Sequence, residues 1–126
     1  MTENKKYDLE DRLIDFSIVV SEIAEALPST KFASHISGQL IRSSSSPALN
    51  YGEVQSAESR NDFIHKVKII LKELRETRIA LKIIDKKKLL ITQTDKLKSV
   101  TDECNQLIAI FVKSVDTANK NRSEKK

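Results

Sequence analysis

Apolar residues recur along most of the chain at alternating steps of three and four, and this spacing constrains the fold most strongly. Because an α-helix has about 3.6 residues per turn, such residues share one helix face. The first stripe is Leu9, Leu13, Phe16, Val20, Ile23 and Leu27. Another is Phe63, Val67, Ile70, Leu74, Leu81 and Ile84, with Thr77 filling the gap. A further stripe is Leu97, Val100, Cys104, Leu107 and Phe111. No strand alternation is visible, so the pattern predicts an all-α protein.

The segment RSSSSPALNYGE, residues 42–53, interrupts this regularity with four serines and a proline. Such a composition is typical of a flexible linker. Its polar residues nevertheless keep the helical spacing, which a linker has no reason to keep. An adjacent stripe that can face a core consists of Leu40, Pro47, Tyr51 and Val54. Since proline inside a helix removes one backbone hydrogen bond and bends the helix, we predict one long helix kinked near Pro47.

Helix start and stop signals divide the chain. Pro28 ends the first helix, and Ser29 or Thr30 can cap the second. Ser59 and Asp62 form an approximate capping box for the third. The predicted helices span about residues 8–27, 30–57, 60–86 and 94–118, and the tail 119–126 is predicted to be disordered. Four helices with short connections predict a single domain, an antiparallel up-down four-helix bundle.

The composition agrees with one soluble helical domain. The 126 residues are 39% apolar and 32% charged, with two glycines and two prolines. No apolar run reaches the roughly 18 residues of a membrane helix, and the first residues lack the apolar segment of a secretory signal. The single cysteine, Cys104, lies in an apolar stripe, which indicates a core side chain rather than a reactive thiol. One cysteine excludes an internal disulfide, and we expect a cytoplasmic protein.

The net charge of +4 conceals an acidic and a basic segment. Residues 7–27 carry six acids and one base, whereas residues 60–88 carry ten bases and four acids. Such a split indicates pairing within the chain, pairing between subunits, or a basic face for nucleic acid.

A basic stripe runs along the third predicted helix. Because Lys and Arg on one helix face can neutralise phosphates, we predict electrostatic binding of RNA or DNA. No interleaved aromatic residues indicate base stacking, and the alternative is an ordinary solvated helix face. The stripe consists of Lys68, Lys72, Arg75, Arg78 and Lys82.

A polar row runs beside the core stripe of the second helix. It consists of Gln39, Arg42, Ser43, Ser46, Asn50 and Glu53. We favour a buried hydrogen-bonded network that fixes helix register, with Arg42 paired to an acid such as Glu53 or Glu73. A ligand or RNA contact and a catalytic role are the alternatives.

Apolar residues exceed what a monomeric bundle needs to fill its core. The surplus lies on more than one side of the helices and includes Ile14, Ile18, Val19, Ile64, Ile69, Leu71, Ile79, Ile83, Ile108, Ile110 and Val112. Self-association would bury this surplus, so we predict a homo-oligomer.

Two short patterns raise the question of catalysis. Asp62-x-x-His65 is a single copy of a spacing used by di-metal bundle sites, which need two such motifs and two further acids. The other histidine, His35, has no acid three residues before it, so no metal or other cofactor is predicted. Arg60 and His65 have the spacing of a catalytic motif in certain all-helical ribonucleases, but so short a pattern arises easily by chance. We therefore predict a non-enzymatic protein, with a ribonuclease as the less favoured alternative.

Several motifs together resemble a family of bacterial four-helix-bundle proteins, the ribosomal-RNA intervening-sequence proteins. These motifs are Gln39-Leu40-x-Arg42-Ser43-x-x-Ser46, Asn50-x-x-Glu53, Ser59-x-x-Asp62-Phe63 and Lys72-Glu73-x-x-Glu76. The resemblance extends from Asp8 to about Ser114. The chain departs from the common pattern at Ile79-Ala80, where relatives often carry bulky aromatic residues.

The resemblance implies an up-down four-helix bundle that assembles as a ring, typically of five subunits. It also implies that the polar row, with Glu73 and Glu76, is a structural signature. A similar bundle is the accessory protein of diversity-generating retroelements, where it is implied to bind nucleic acid and a reverse transcriptase. Expected partners are therefore other copies of the chain, RNA or DNA, and, by this resemblance, a reverse transcriptase or another protein. The competing hypothesis is a protein scaffold whose basic helix faces the acidic first helix of a neighbouring subunit.

Overall fold

The computed structural model describes residues 8–124, with side chains for residues 8–121, and its regular structure is helical throughout. The helices are α1 (Leu9–Glu25), α2 (Lys31–Gln55), α3 (Arg60–Lys87) and α4 (Thr94–Glu124). The all-α fold class is thereby confirmed. All the predicted helix ends lie within two residues of these bounds except the end of the fourth helix.

Each helix packs against its neighbours in chain order. The contacts join α1 to α2, α2 to α3 and α3 to α4, and α4 closes the arrangement against α1. Across the bundle, the rings of Tyr51 on α2 and Phe111 on α4 meet edge to face, with their centroids 6.2 Å apart. Arg12 of α1 meets Glu103 of α4, and Glu22 of α1 meets Lys96 of α4, so these two helices run antiparallel. Contacts between α2 and α3 follow the same reversed order. The described chain is a four-helix bundle, as predicted.

The core is built from the apolar stripes of all four helices. Burial of each such Leu, Ile or Phe side chain contributes about 1.5–3 kcal/mol before chain entropy is counted. The largest fully buried apolar side chains are Leu13, Val20, Ile23, Leu40, Val67, Ile70, Leu74, Leu81, Ile84, Leu107 and Phe111. The same stripes were expected from helical spacing, which therefore identifies the core-facing sides.

Side-chain caps fix where the helices begin. Asp8 caps α1, and Thr30, rather than Ser29, caps α2. At α3 the Ser59 hydroxyl accepts a hydrogen bond from the Asp62 amide at 3.0 Å. The Asp62 carboxylate accepts from the backbone amide of residue 58 at 3.1 Å, instead of from the amide of Ser59. The Ser59 half of the predicted capping box is therefore present, and only the return hydrogen bond to Asp62 is displaced by one residue.

The fourth helix is longer than predicted. It continues to Glu124, through residues assigned from sequence to a disordered tail beginning at 119. Val115 and Ala118 are buried and extend the stripe that contains Phe111, so core contacts support these turns. No glycine or proline interrupts them. Residues 125 and 126 lie outside the described residues.

The serine-rich segment is the interior of α2, not a linker. Pro47 is buried within the helix, and its missing N–H leaves the carbonyl of Ser43 without a helical partner. The hydroxyls of Ser44 and Ser45 donate to the carbonyl of Ile41 at 3.3 and 2.8 Å. The prediction of one continuous helix is confirmed, and the kink near Pro47 stays a prediction.

Cys104 is expected to be unreactive in the folded protein. Its thiol is buried and donates to the carbonyl of Leu74 at 3.4 Å, and burial raises the pKa of Cys104 to about 12. A thiol reagent at pH 8 should therefore leave native protein unlabelled and modify one cysteine per chain after unfolding in urea. Rapid stoichiometric labelling without denaturant would contradict this burial.

Candidate nucleic-acid interface

The basic stripe of α3 lies mainly on the side that faces α4. Lys68 and Arg75, two turns apart, line a groove between the two helices of about 300 Å³. Leu71 and Val112 form part of its apolar floor, and Asp116 is the acid among its lining residues. Both cationic side chains are exposed, so their charges point to solvent along the edge of this groove.

The same seam continues toward the end of α3. There Lys82 lines a smaller cavity of about 200 Å³ together with Asp85 of α3 and Lys98 and Thr101 of α4. Sequence reasoning missed Lys98, because its proximity to Lys82 depends on how α4 lies beside α3. We call the exposed surface formed by Lys68, Arg75, Lys82 and Lys98 the basic groove.

Arg78 lies deeper in this seam. It is half-buried, and its guanidinium donates to the side-chain oxygen of Asn105 at 3.3 Å. Its Nε is buried without a hydrogen-bond partner in the described structure. Arg78 also opposes the rise in the pKa of Cys104, which is dominated by burial. Its charge therefore adds to the potential of the seam, while its side chain is partly committed to α4.

Lys72 differs from the other predicted binding residues. Its Nζ lies 3.7 Å from the Glu76 carboxylate and 4.0 Å from the Glu73 carboxylate, on the side of α3 that faces α2. These acids offset its charge. Lys68, Arg75 and Lys82 therefore line the cavities along α4, whereas Lys72, one turn from Lys68 and from Arg75, lies beside two carboxylates.

The basic groove keeps a positive excess. Asp85 and Asp116 are the acids among the described residues that line its two cavities. The acidic α1 packs against α2 and α4 and not against α3 in the described residues, so it does not neutralise the three bases that α3 contributes. The groove can attract a polyanion, although binding of nucleic acid through it remains a prediction.

A buried hydroxyl pair joins α2 to α3. The oxygens of Ser43 and Thr77 are 2.7 Å apart, and Thr77 also approaches the Glu73 carbonyl at 2.9 Å. Ser43 is 2% exposed and Thr77 is fully buried. Because Thr77 donates to that carbonyl, Ser43 donates to Thr77, and both hydroxyls are satisfied.

An ion-pair cluster lies directly beside this pair. Arg42 donates to Glu73 at 2.9 Å and to Glu76 at 2.5 Å. The hydrogen bonds with Glu76 and then Glu73 raise the pKa of Arg42. The predicted pairing of Arg42 with Glu73 is present, whereas Glu53 instead lies 3.8 Å from Lys66.

The remaining members of the polar row make local contacts or face solvent. Asn50 donates to Ser46 at 2.9 Å within α2, and Gln39 is exposed beside the α2–α3 groove. The row is therefore a set of separate pairings. Its assignment as a purely structural network stays a prediction.

Sequence reasoning also missed a clamp between α1 and α4. Arg12 donates from Nε and one terminal nitrogen to the Glu103 carboxylate at 3.0 and 2.7 Å, and to Gln106 at 3.1 Å. The hydrogen bond with Glu103 raises the pKa of Arg12. Arg12 is the single base within acidic residues 7–27, and this isolation was the available signal.

The residues considered for catalysis do not converge. Arg60 and His65 are five positions apart on α3, which separates them by about 140° around the helix. His65 is exposed, and Asp62 is bound to Lys66 at 2.9 Å. That hydrogen bond, followed by the one from the amide of Glu58, lowers the pKa of Asp62.

The described residues contain no candidate metal cluster and no membrane-spanning helix. No group of three His, Cys, Asp or Glu side chains is placed to hold a metal ion in this part of the chain. The helices, as far as they are described, are not long and apolar enough to cross a membrane.

Four helices that pack against one another in chain order place the described chain in the class of four-helix-bundle proteins. The family model described as 23S rRNA-intervening sequence protein matches residues 5–113. The chain therefore belongs to this family, as its sequence motifs indicated.

A solved structure has a similar fold. It is a protein of unknown function from the S23 ribosomal protein family of Bacteroides thetaiotaomicron VPI-5482. The TM-score is 0.75 and the identity 23%, over 86% of this chain and 98% of the other. At this identity the likeness shows the fold alone. No curated protein matches the chain.

The hydroxyl pair should couple Ser43 to Thr77 energetically. Replacing Thr77 with Val removes both hydrogen bonds and should lower the free energy of unfolding by about 1–3 kcal/mol, measured by urea denaturation. The double variant, Ser43→Ala with Thr77→Val, should lose less stability than the sum of the two single variants. In the double variant both hydroxyls are absent, so no buried partner is left unpaired. Ser45→Ala, on the outer side of the same helix, is the control. Strict additivity would mean that the pair does not act as a unit.

Proposed function

We propose that the protein is a non-enzymatic, homo-oligomeric helical bundle that binds RNA or DNA electrostatically along the basic groove. The observation that carries this proposal is the alignment of Lys68, Arg75, Lys82 and Lys98 along one exposed seam. The family's description associates it with 23S rRNA, which makes structured ribosomal RNA the natural first probe. A protein that keeps one buried reduced cysteine fits a cytoplasmic location, which we also propose.

The groove has the length needed for several phosphate contacts. Lys68 and Lys82 are separated by fourteen positions of α3, or about 21 Å at 1.5 Å per residue. This is about six steps of a duplex at 3.4 Å per strand. If all four bases of the groove neutralise phosphates, the affinity should fall with salt with a logarithmic slope of about −3.6.

Self-association would strengthen such weak contacts. Large apolar side chains remain exposed on the described surface, and they include Ile14, Ile18, Ile41, Leu49, Ile69, Ile79 and Ile91. Their burial between subunits would favour an oligomer. The ring of about five subunits that the resemblance implies would present several grooves to one RNA, which multiplies a modest affinity per subunit.

Charge reversal in the groove tests the binding surface. We expect wild-type protein to bind a fluorescent structured RNA at low salt, with affinity that falls steeply as salt is raised. Lys68→Glu with Arg75→Glu should weaken binding at least about tenfold, because two phosphate contacts become repulsive. Fluorescence anisotropy measures both effects, and sedimentation confirms that the variant keeps the oligomeric state of the wild type.

The matched control reverses two exposed lysines elsewhere. Lys31→Glu with Lys87→Glu changes the net charge equally but leaves the basic groove intact, since Lys87 lies over Phe32 on the side of α3 toward α2. It should bind RNA nearly as tightly as the wild type. Equal losses in both variants would indicate a response to net charge alone. No wild-type binding at low salt would reject the nucleic-acid function and favour a protein scaffold.

The same RNA samples test the ribonuclease alternative. Because α3 holds Arg60 and His65 on different sides, we expect the RNA to stay intact during prolonged incubation. Gel analysis of the wild type and His65→Ala should give identical patterns. Cleavage products that disappear in His65→Ala would establish the enzyme and overturn the non-enzymatic assignment.

A further inference from the structure

The helices of the bundle differ in length, and this difference leaves a groove at one end. The helix α1 begins at Leu9, and its Arg12 already lies opposite Glu103 and Gln106 of α4. Because these two helices are antiparallel, the last turns of α4 extend beyond the start of α1. A groove of about 700 Å³ lies there between the beginning of α3 and the end of α4. We call it the end groove.

The end groove combines an apolar floor with positive charge. Phe63 of α3 and Ile110 and Ala118 of α4 supply apolar surface, and Arg60 and Lys113 supply cations. None of its described lining residues is acidic. Neither cation forms an ion pair among residues 8–121. This surface therefore fits an occupant that is apolar in the middle and acidic at its edges.

The chain's own ends do not match this chemistry in charge. Residues 1–7 contain two lysines and one glutamate, and residues 125 and 126, which follow α4, are both lysine. Both segments are net positive, like the groove itself. Charge complementarity therefore favours an occupant other than these segments.

The outer side of α1 has the required pattern. Ile14 and Ile18 are 42% and 51% exposed, although both are large apolar residues. Asp11 and Glu25 follow the same spacing of three, four and seven positions, so all four residues share one face of the helix. We call this face the acidic ridge. Its isoleucines stand one turn apart between two carboxylates.

We propose that the acidic ridge of one copy of the chain packs into the end groove of the next copy. The isoleucines cover the apolar floor, while Asp11 and Glu25 approach Arg60 and Lys113. Ridge and groove are different surfaces, so the contact is heterologous and repeats from subunit to subunit, producing a closed ring or an open chain. This inference rests on the self-association in the proposed function and assigns the surfaces that carry it.

Charge reversal with rescue tests the contact. The groove-reversed variant carries Arg60→Glu and Lys113→Glu, and the ridge-reversed variant carries Asp11→Lys and Glu25→Lys. We expect wild-type protein to sediment as an oligomer and each variant to sediment as a monomer at the same concentration. The chain with all four substitutions should recover the oligomer, because opposite charges face each other again. Circular dichroism checks that each variant keeps its helical content.

Two further variants keep the test decisive. Lys31→Glu with Lys87→Glu matches the charge change of the groove-reversed variant outside both surfaces and should remain oligomeric. Ile18→Lys removes the centre of the ridge at a half-exposed position and should also give monomers, even if a charge-reversed variant fails to fold. A monomeric wild type, or a folded groove-reversed protein and an Ile18→Lys protein that both stay oligomeric, would overturn the proposal. Failure of the four-substitution chain to assemble while folded would do the same.

RNA binding provides a separate readout. The basic groove is untouched in the Ile18→Lys variant, which changes the net charge by only one, so its monomer should retain weak, salt-sensitive binding. Loss of assembly with residual RNA binding supports both proposals. A wild-type oligomer that binds no RNA would reject only the nucleic-acid function, whereas a wild-type protein that is monomeric yet binds RNA would reject only the assembly surfaces.

Discussion

The buried hydroxyl contact between Ser43 and Thr77 is the interaction on which the arrangement of α2 and α3 depends. Each hydroxyl is buried, so an unpaired one would cost about 1–3 kcal/mol. Sliding α2 along α3 by one turn would separate the pair and also move Arg42 away from Glu73. Apolar side chains alone tolerate such shifts more readily, since one Leu or Ile can replace another as a neighbour. The polar pairings therefore select one register among several that would bury similar apolar area.

The packing of α3 against α2 also determines which positive charges of α3 are offset by nearby carboxylates. The side toward α2 contains Glu73 and Glu76, which offset Arg42 and Lys72. The side toward α4 has fewer acids, so Lys68 and Arg75 keep an excess of positive charge. The basic helix is thus divided by its neighbours into a neutralised side and a cationic side. Its net charge alone would overstate the area that can attract a polyanion.

Helical spacing was sufficient to predict the core, because the side of a helix that carries Leu13 or Leu74 depends only on local geometry. The same spacing placed the serines of α2 inside a helix. Partners across helices were harder to predict: Lys98 beside Lys82, and Glu103 beside Arg12, depend on register and on the order of packing. The end of α4 was missed because Val115 and Ala118 are weak apolar signals in sequence, yet they are buried in the bundle. Local periodicity therefore predicts which side of each helix faces the core, and long-range contacts determine which polar groups of different helices meet.

Unequal helix lengths connect the fold to assembly. The helix α1 has 17 residues and α4 has 31, so a bundle that closes fully around α1 must leave part of α4 without that neighbour. A longer α1 would cover this surface within the subunit, so that no exposed apolar surface would remain there for another copy to bind. A short α1 instead leaves Phe63 and Ile110 partly accessible, while its outer isoleucines stay about half exposed. Since the end groove and the basic groove involve different residues, assembly would leave the cations that attract nucleic acid exposed. The subunit contacts of a ring would then leave every basic groove free. Several grooves could bind one nucleic acid at the same time, and avidity requires this simultaneous binding.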